Sequence, residues 1–253
     1  MIAPDRPGFG LSDFQAGRRI TDWPDDVQAL ASHLRLSRFA VLGASAGGPY
    51  AVACARGLPH DMISGVGVLA GSGPWIAGTQ DVTLSRRVAS LAATYCPTAF
   101  EVASDILFGM LRRAASTEMV KRWLDNWIDS MQREDKSKDD DDDDDISTQE
   151  ARKRLIKTSL EAFARGSSGF VQETRLLSHD WGFRFEDVTY DKIRIWHGTK
   201  DKNAPVGMTR YMAERLPHAV LHEFDEDHYN MGHHVEEILS ELVPAEVVSS
   251  GGK

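Results

Sequence analysis

The chain has 253 residues, 42% hydrophobic and 26% charged, which is enough to bury one large α/β core or a core with an insertion. The formal net charge is -9, so no broad basic face is available for nucleic acid. No apolar run reaches the roughly 18 residues of a membrane span, and "MIAPDRPGFG" lacks the basic and apolar regions of a signal peptide, so a cytoplasmic protein is expected.

Met1 to Pro4 reads as the end of a strand, and "DRPGFGLSD" follows as a turn-rich loop. Thr21 and Asp22 before Pro24 mark a helix start, and Val27, Leu30, Ala31 and Leu34 share one helical face. "RFAVLG" is a buried strand, "GGPYAVACARGLP" a helix apolar nearly all round, and "SGVGVLAG" the next strand. Strand and helix therefore alternate, which predicts a parallel sheet covered on both faces.

From about residue 75 to 181 the strands vanish and long helical patterns appear. Val120, Trp123, Leu124, Trp127, Ile128 and Met131 make one apolar stripe. Leu155, Ile156, Ser159, Leu160 and Phe163 make another, with one polar member. Between them lies the run Asp139 to Asp145. Removing its seven charges from -9 leaves -2, so the remainder is nearly balanced. A block of like charge repels itself and stays solvated, which predicts a disordered acidic loop over about residues 134–148. It lacks the glycine and closing glutamate of an EF-hand loop.

Strand and helix then return. "KIRIWHG" is a strand, "PVGMTRYMAERLP" a helix, and "AVLHEFDEDH" a strand running into a loop. Val235, Ile238, Leu239 and Leu242 form a closing helix, and residues 248–253 a frayed tail. The two cysteines, Cys54 and Cys96, have no metal spacing around them and read as free thiols.

Gly43-Ala44-Ser45-Ala46-Gly47 is a G-x-S-x-G pattern between an apolar strand and an apolar helix. A serine hydroxyl is a weak nucleophile unless it is exposed beside a base. A tight strand-to-helix turn pushes it outward, and flanking glycines let neighbouring backbone approach. The helix beginning there turns its free N–H groups toward a reacting oxygen. Asp201, in "WHGTKDKNAP", and His228, in "DEDHYNMG", each follow a strand on the same sheet edge and supply an orienting acid and a base. The order is Ser, Asp, His. Each residue also has a plainer reading. Ser45 suits any glycine-rich turn, Asp201 can initiate the turn before Asn203 and Pro205, and most of the nine histidines are expected at the surface. His233 and His234 are alternative bases. The spacing of His222, His228, His233 and His234 matches no zinc pattern, so no metal or other cofactor is expected.

On "PDRPGFGLSD", "LGASAGG", "WHGTKDKNAP" and "DHYNMGHH" the chain resembles the α/β-hydrolase fold superfamily, and the segment between resembles the helical cap that many members insert after their sixth strand. "DRPGFGLSD" is similar to a loop in the branch containing epoxide hydrolases and haloalkane dehalogenases. Those enzymes use an aspartate nucleophile, whereas serine points to ester, thioester or C–C bond hydrolysis. The resemblance implies a mostly parallel α/β sheet with an inserted helical cap. The core would span residues 1–74 and 182–247, and the cap 75–181. It implies Ser45 as nucleophile, His228 as general base, Asp201 as its orienting partner, and the N–H of Ala46 as half of an oxyanion hole. In the family a second N–H comes from a His-Gly loop after the third strand. Here the first strands that would precede "MIAPDRPG" are missing, and the only other His-Gly, His197-Gly198, lies on the strand leading to Asp201. An N-terminally truncated hydrolase fold is therefore expected. The implied function is a serine hydrolase on small apolar ester-type or related acyl substrates, with Trp123 and Trp127 of the cap roofing the pocket. The alternatives are a non-catalytic remnant of the fold acting in binding, or a cofactor-free haloperoxidase or perhydrolase with the same triad.

Overall fold

The computed structural model describes residues 1–135 and 147–243, so the acidic run Asp139–Asp145 and the tail 248–253 lie outside the described residues. Two compact units are formed, one from Gly17–Leu91 and Glu173–Lys253, the other from Met1–Ala16 and Ala92–Gln172.

In the first unit, helix α1 (Trp23–His33) leads to β1 (Phe39–Ala44), and α2 (Gly48–Gly57) crosses over to β2 (Ile63–Leu69). Among the described residues the chain then forms five helices, α3 (Leu84–Tyr95), α4 (Pro97–Ala115), α5 (Glu118–Asp135), α6 (Thr148–Glu161) and α7 (Ser168–Ser178). It returns as β3 (Ile193–Gly198), α8 (Val206–Arg215), β4 (Ala219–Phe224) and α9 (Val235–Leu242). Among the described residues the sheet has four strands in the order β1-β2-β3-β4, every pair parallel. This is an α/β fold with a helical insert between its second and third strands.

The period-2 alternation of the strands sorts their side chains onto two faces. Val66 and Val68 of β2 and Ile193 and Ile195 of β3 are buried in one cluster with Val52 and Cys54 of α2 and Met212 of α8. Leu69 and Trp196 face the other way and are buried with Ile238 and Leu242 of α9 and with Met231. Gly67 shares that second face. A Cβ there would come within 2.7 Å of Leu242 Cδ1 and 2.8 Å of Leu42 Cδ1, so α9 packs at a distance that only glycine permits. The apolar run of α2 has the same cause, since Gly48 through Ala55 are all buried.

In the second unit, Phe108 stacks on Phe163 with ring centroids 3.5 Å apart, and Phe170 meets both edge-on at 5.8 Å. The N-terminal loop joins this unit. The Gly10 N–H donates to the Ala162 carbonyl at 3.0 Å, and Gln172 Nε2 donates to the Gln15 carbonyl at 3.0 Å. Helices α5 and α6 are linked by an Arg152–Asp125 ion pair.

Two expectations from the sequence do not hold. Met1 to Pro4 is not a strand but an exposed, irregular segment. A strand needs a neighbour for its backbone groups, and this segment belongs to the helical unit, where no strand is available among the described residues. The α5 stripe also divides. Ile128 is buried and Val120 and Leu124 are half-buried, whereas Trp123 is 63% and Trp127 43% exposed. Residues four apart stack on one helix edge, so 120, 124 and 128 point inward and 123 and 127 lie on the adjoining edge. Trp123 is therefore mostly exposed and Trp127 partly covered.

Both cysteines are free, and burial pushes the Cys54 thiol up to about 12, which keeps it protonated and unreactive. No helix among the described residues is long and apolar enough to cross a membrane. Truncating Ile195, which is fully buried in a central strand, to alanine is expected to cost about 2–5 kcal/mol. Truncating Val220, half-exposed on β4, is expected to cost under about 0.5 kcal/mol. Chemical denaturation of the two variants measures the difference.

Candidate active site

The carboxyl ends of β1, β3 and β4 lie along one edge of the sheet, because parallel strands all end on the same side. Each is followed by a turn that carries one polar side chain. After β1, Ser45 opens a short 3-10 turn, Ser45–Gly47, that runs into α2. Its φ is +49°, a left-handed conformation that a residue with a Cβ adopts only at a cost of roughly 1–3 kcal/mol. The turn is tight enough that a Cβ on Gly43 would lie 2.3 Å from the Gly47 carbonyl oxygen, so Gly43 is required by contact. The Ser45 carbonyl accepts the N–H of Ser72, 2.8 Å away, in the loop after β2. Ser45 itself is half-buried.

Asp201 follows β3. Its side chain has no exposed surface. Oδ1 accepts the N–H groups of Asn203 and Ala204 at 2.8 and 2.7 Å, and Oδ2 accepts Nδ1–H of His228 at 2.6 Å. Burial favours the neutral acid, but the hydrogen bonds from His228 and the Ala204 N–H outweigh it and hold Asp201 below the ordinary carboxylate range.

His228 follows β4. Asp227 Oδ1 accepts the N–H groups of Tyr229 and Asn230 at 2.9 and 3.0 Å, which fixes the turn on either side of His228. The turns after β3 and β4 are also bonded to each other. The Thr199 N–H donates to the Phe224 carbonyl at 2.7 Å, and the Lys200 N–H donates to the Glu226 carbonyl at 3.0 Å. With Nδ1–H committed to Asp201, Nε2 of His228 is left as an acceptor, and Ser45 Oγ lies 3.1 Å from it.

Ser45, His228 and Asp201 thus stand in one hydrogen-bonded chain. His233 and His234 stand elsewhere. His233 is exposed, and His234 packs its ring on Phe224 at 4.3 Å, with Nδ1 3.7 Å from Glu237 Oε2. His222 stacks on Trp196. Ala46 is the second residue of the turn after β1.

Two side chains not identified from the sequence border this site. His197, at the end of β3, is fully buried with Nε2 donating to the Ala204 carbonyl at 2.7 Å and Nδ1 3.1 Å from Thr209 Oγ1 of α8. Burial pushes its pKa down, against the pull of the Ala204 carbonyl and Asp201, so it is a neutral ring. Arg86 of α3 donates from Nη1 to the Asn203 carbonyl. Neither carries a sequence signal, because each acts on a backbone carbonyl.

The alpha/beta hydrolase family profile matches residues 1–241. Among solved structures the chain is similar to an esterase from Exiguobacterium antarcticum, with 17% identity, a TM-score of 0.55, and coverage of 93% of this chain and 77% of that one. It is similar to an enol-lactonase from Burkholderia xenovorans, with 19% identity, a TM-score of 0.55, and coverage of 96% and 78%. It is also similar to a meta-cleavage product hydrolase from Pseudomonas fluorescens, with 17% identity, a TM-score of 0.55, and coverage of 95% and 78%. At these identities the likeness is one of fold. No curated protein sequence matches the chain significantly.

The lowered pKa of Asp201 has a consequence for acid stability. Because the folded value lies below the ordinary one, the ionised carboxylate adds stability above the ordinary carboxylate range. That contribution is lost as pH falls through the folded value. Melting temperatures taken from about pH 6 down to about pH 2.5 are expected to fall more steeply in the wild type than in Asp201→Asn, which has no such proton to take up. Parallel curves would show that Asp201 is not held ionised by its surroundings.

Proposed function

The chain belongs to the alpha/beta hydrolase family, and from that premise we propose that it is a serine hydrolase of small apolar esters or related acyl compounds, acting through Ser45, His228 and Asp201. The observation that carries the proposal is the unbroken relay from Ser45 Oγ to His228 Nε2 at 3.1 Å and from His228 Nδ1 to Asp201 Oδ2 at 2.6 Å.

In this reading Ser45 Oγ attacks the carbonyl carbon while its proton passes to His228 Nε2. Asp201 keeps the ring in the Nδ1–H form and stabilises the imidazolium that results. The carbonyl oxygen becomes an oxyanion facing the Ala46 N–H at the start of the helical turn, where early N–H groups have no acceptor within the helix. Collapse of the tetrahedral intermediate expels the alcohol, which takes its proton from His228 Nε2, and leaves the acyl group on Ser45. Water then attacks the acyl-enzyme with His228 again as base, releasing the acid and restoring Ser45. The left-handed turn at Ser45 supports this reading, since local strain of this kind is kept where function needs it.

The ester and acyl substrate class is supported by the serine nucleophile and by the esterase and lactonase among the structural relatives. Hydrolysis of a short-chain p-nitrophenyl ester tests it. Ser45→Ala is expected to remove turnover to background. His228→Ala, which removes the general base, is expected to lower kcat at least about 10²–10⁴-fold. Turnover in Ser45→Ala equal to wild type would exclude Ser45 as the nucleophile.

A further inference from the structure

Asn203 and Ala204, whose N–H groups hold Asp201 Oδ1, are themselves held by their carbonyls. Arg86 Nη1 donates to the Asn203 carbonyl, and His197 Nε2 donates to the Ala204 carbonyl at 2.7 Å. The carbonyl of Asn203 and the N–H of Ala204 belong to one planar peptide group, pointing to opposite sides of it. Arg86 therefore grips one side of the peptide unit whose other side donates to Asp201 at 2.7 Å. His197 grips the next carbonyl along and is itself fixed from α8 by the Thr209 hydroxyl. The Asp201 carboxylate has no exposed surface and one oxygen committed to His228, so its rotamer is set by where these two N–H groups stand.

We propose that Arg86 and His197 are positioning residues for Asp201, acting through the Asn203 and Ala204 carbonyls to keep Oδ2 aimed at His228 Nδ1. The catalytic consequence rests on the proposed triad, whereas the positioning itself does not. Neither side chain touches Ser45 or His228 through a hydrogen bond given by the structure. Their ties come from separate elements, α3 and β3, so that removing one leaves the other. His197 is neutral, and its closest approach to Asp201 Oδ2, 3.6 Å, is no ion pair. What it contributes is an N–H at a fixed point.

Three variants test this: Arg86→Met, His197→Phe, which keeps the bulk without the donor, and His197→Gln, whose amide places an N–H near the original Nε2. The first readout is the low-field proton resonance of His228 Nδ1–H, which needs no turnover. It is expected to move or broaden in Arg86→Met and His197→Phe and to return in His197→Gln. The second is ester hydrolysis. A small misplacement of a catalytic group costs up to about 10²-fold, so kcat is expected to fall about 10- to 100-fold in the first two variants with KM nearly unchanged, and to recover in His197→Gln. Should His197→Phe fail to fold, Arg86→Met, at a half-buried site, carries the same test. Folded variants with the wild-type resonance and wild-type kcat would overturn the proposal. If Ser45→Ala hydrolyses as fast as wild type, the serine mechanism fails, and the resonance alone still decides whether Arg86 and His197 position Asp201.

Discussion

A carboxylate buried with no exposed surface must find every hydrogen bond inside the protein, and Asp201 is such a group. The local structure around it answers that requirement. Two N–H groups from the following turn take one oxygen, and the His228 ring takes the other. The histidine reaches that oxygen because β3 and β4 are paired in parallel and their outgoing turns are bonded to each other at Thr199–Phe224 and Lys200–Glu226. Shift that pairing by one residue and the imidazole would no longer meet the carboxylate. The ordered ring in turn leaves Nε2 free to accept from Ser45.

Ser45 is held by a different device. Its position depends on a left-handed turn squeezed between β1 and α2, made possible by Gly43 and stabilised by the buried face of α2. Two mechanically separate supports, a strained turn and a buried ion-and-amide network, thus bring together residues from positions 45, 201 and 228. The sheet is the common frame. Its β2 and β3 strands are covered on both faces by apolar side chains, so the ends of the strands cannot drift independently.

The sheet strands were legible from sequence because each is a short, largely apolar or alternating run set between turn residues and helical patterns. The serine turn was legible because Gly43 and Gly47 flank a serine at the point where an apolar strand passes into an apolar helix. Asp201 and His228 could be picked out by their places just past strands. Met1–Pro4 was misread because a strand is defined by its neighbour, which local composition does not contain. The α5 stripe divided because an apolar stripe shows that a helix is amphipathic without showing which of its edges is covered. Arg86 and His197 were invisible for a different reason. They act on backbone carbonyls, which carry no residue signature, and Arg86 is 117 residues from the carbonyl it holds.

The central claim is that Ser45 is a nucleophile activated by His228. It is tested most directly by treating the intact chain with a fluorophosphonate and mapping the adduct by peptide mass. The expected result is a single phosphonyl group on Ser45, formed much more slowly in His228→Ala and absent in Ser45→Ala. An adduct on another residue, or one formed on Ser45 at the same rate without His228, would contradict it.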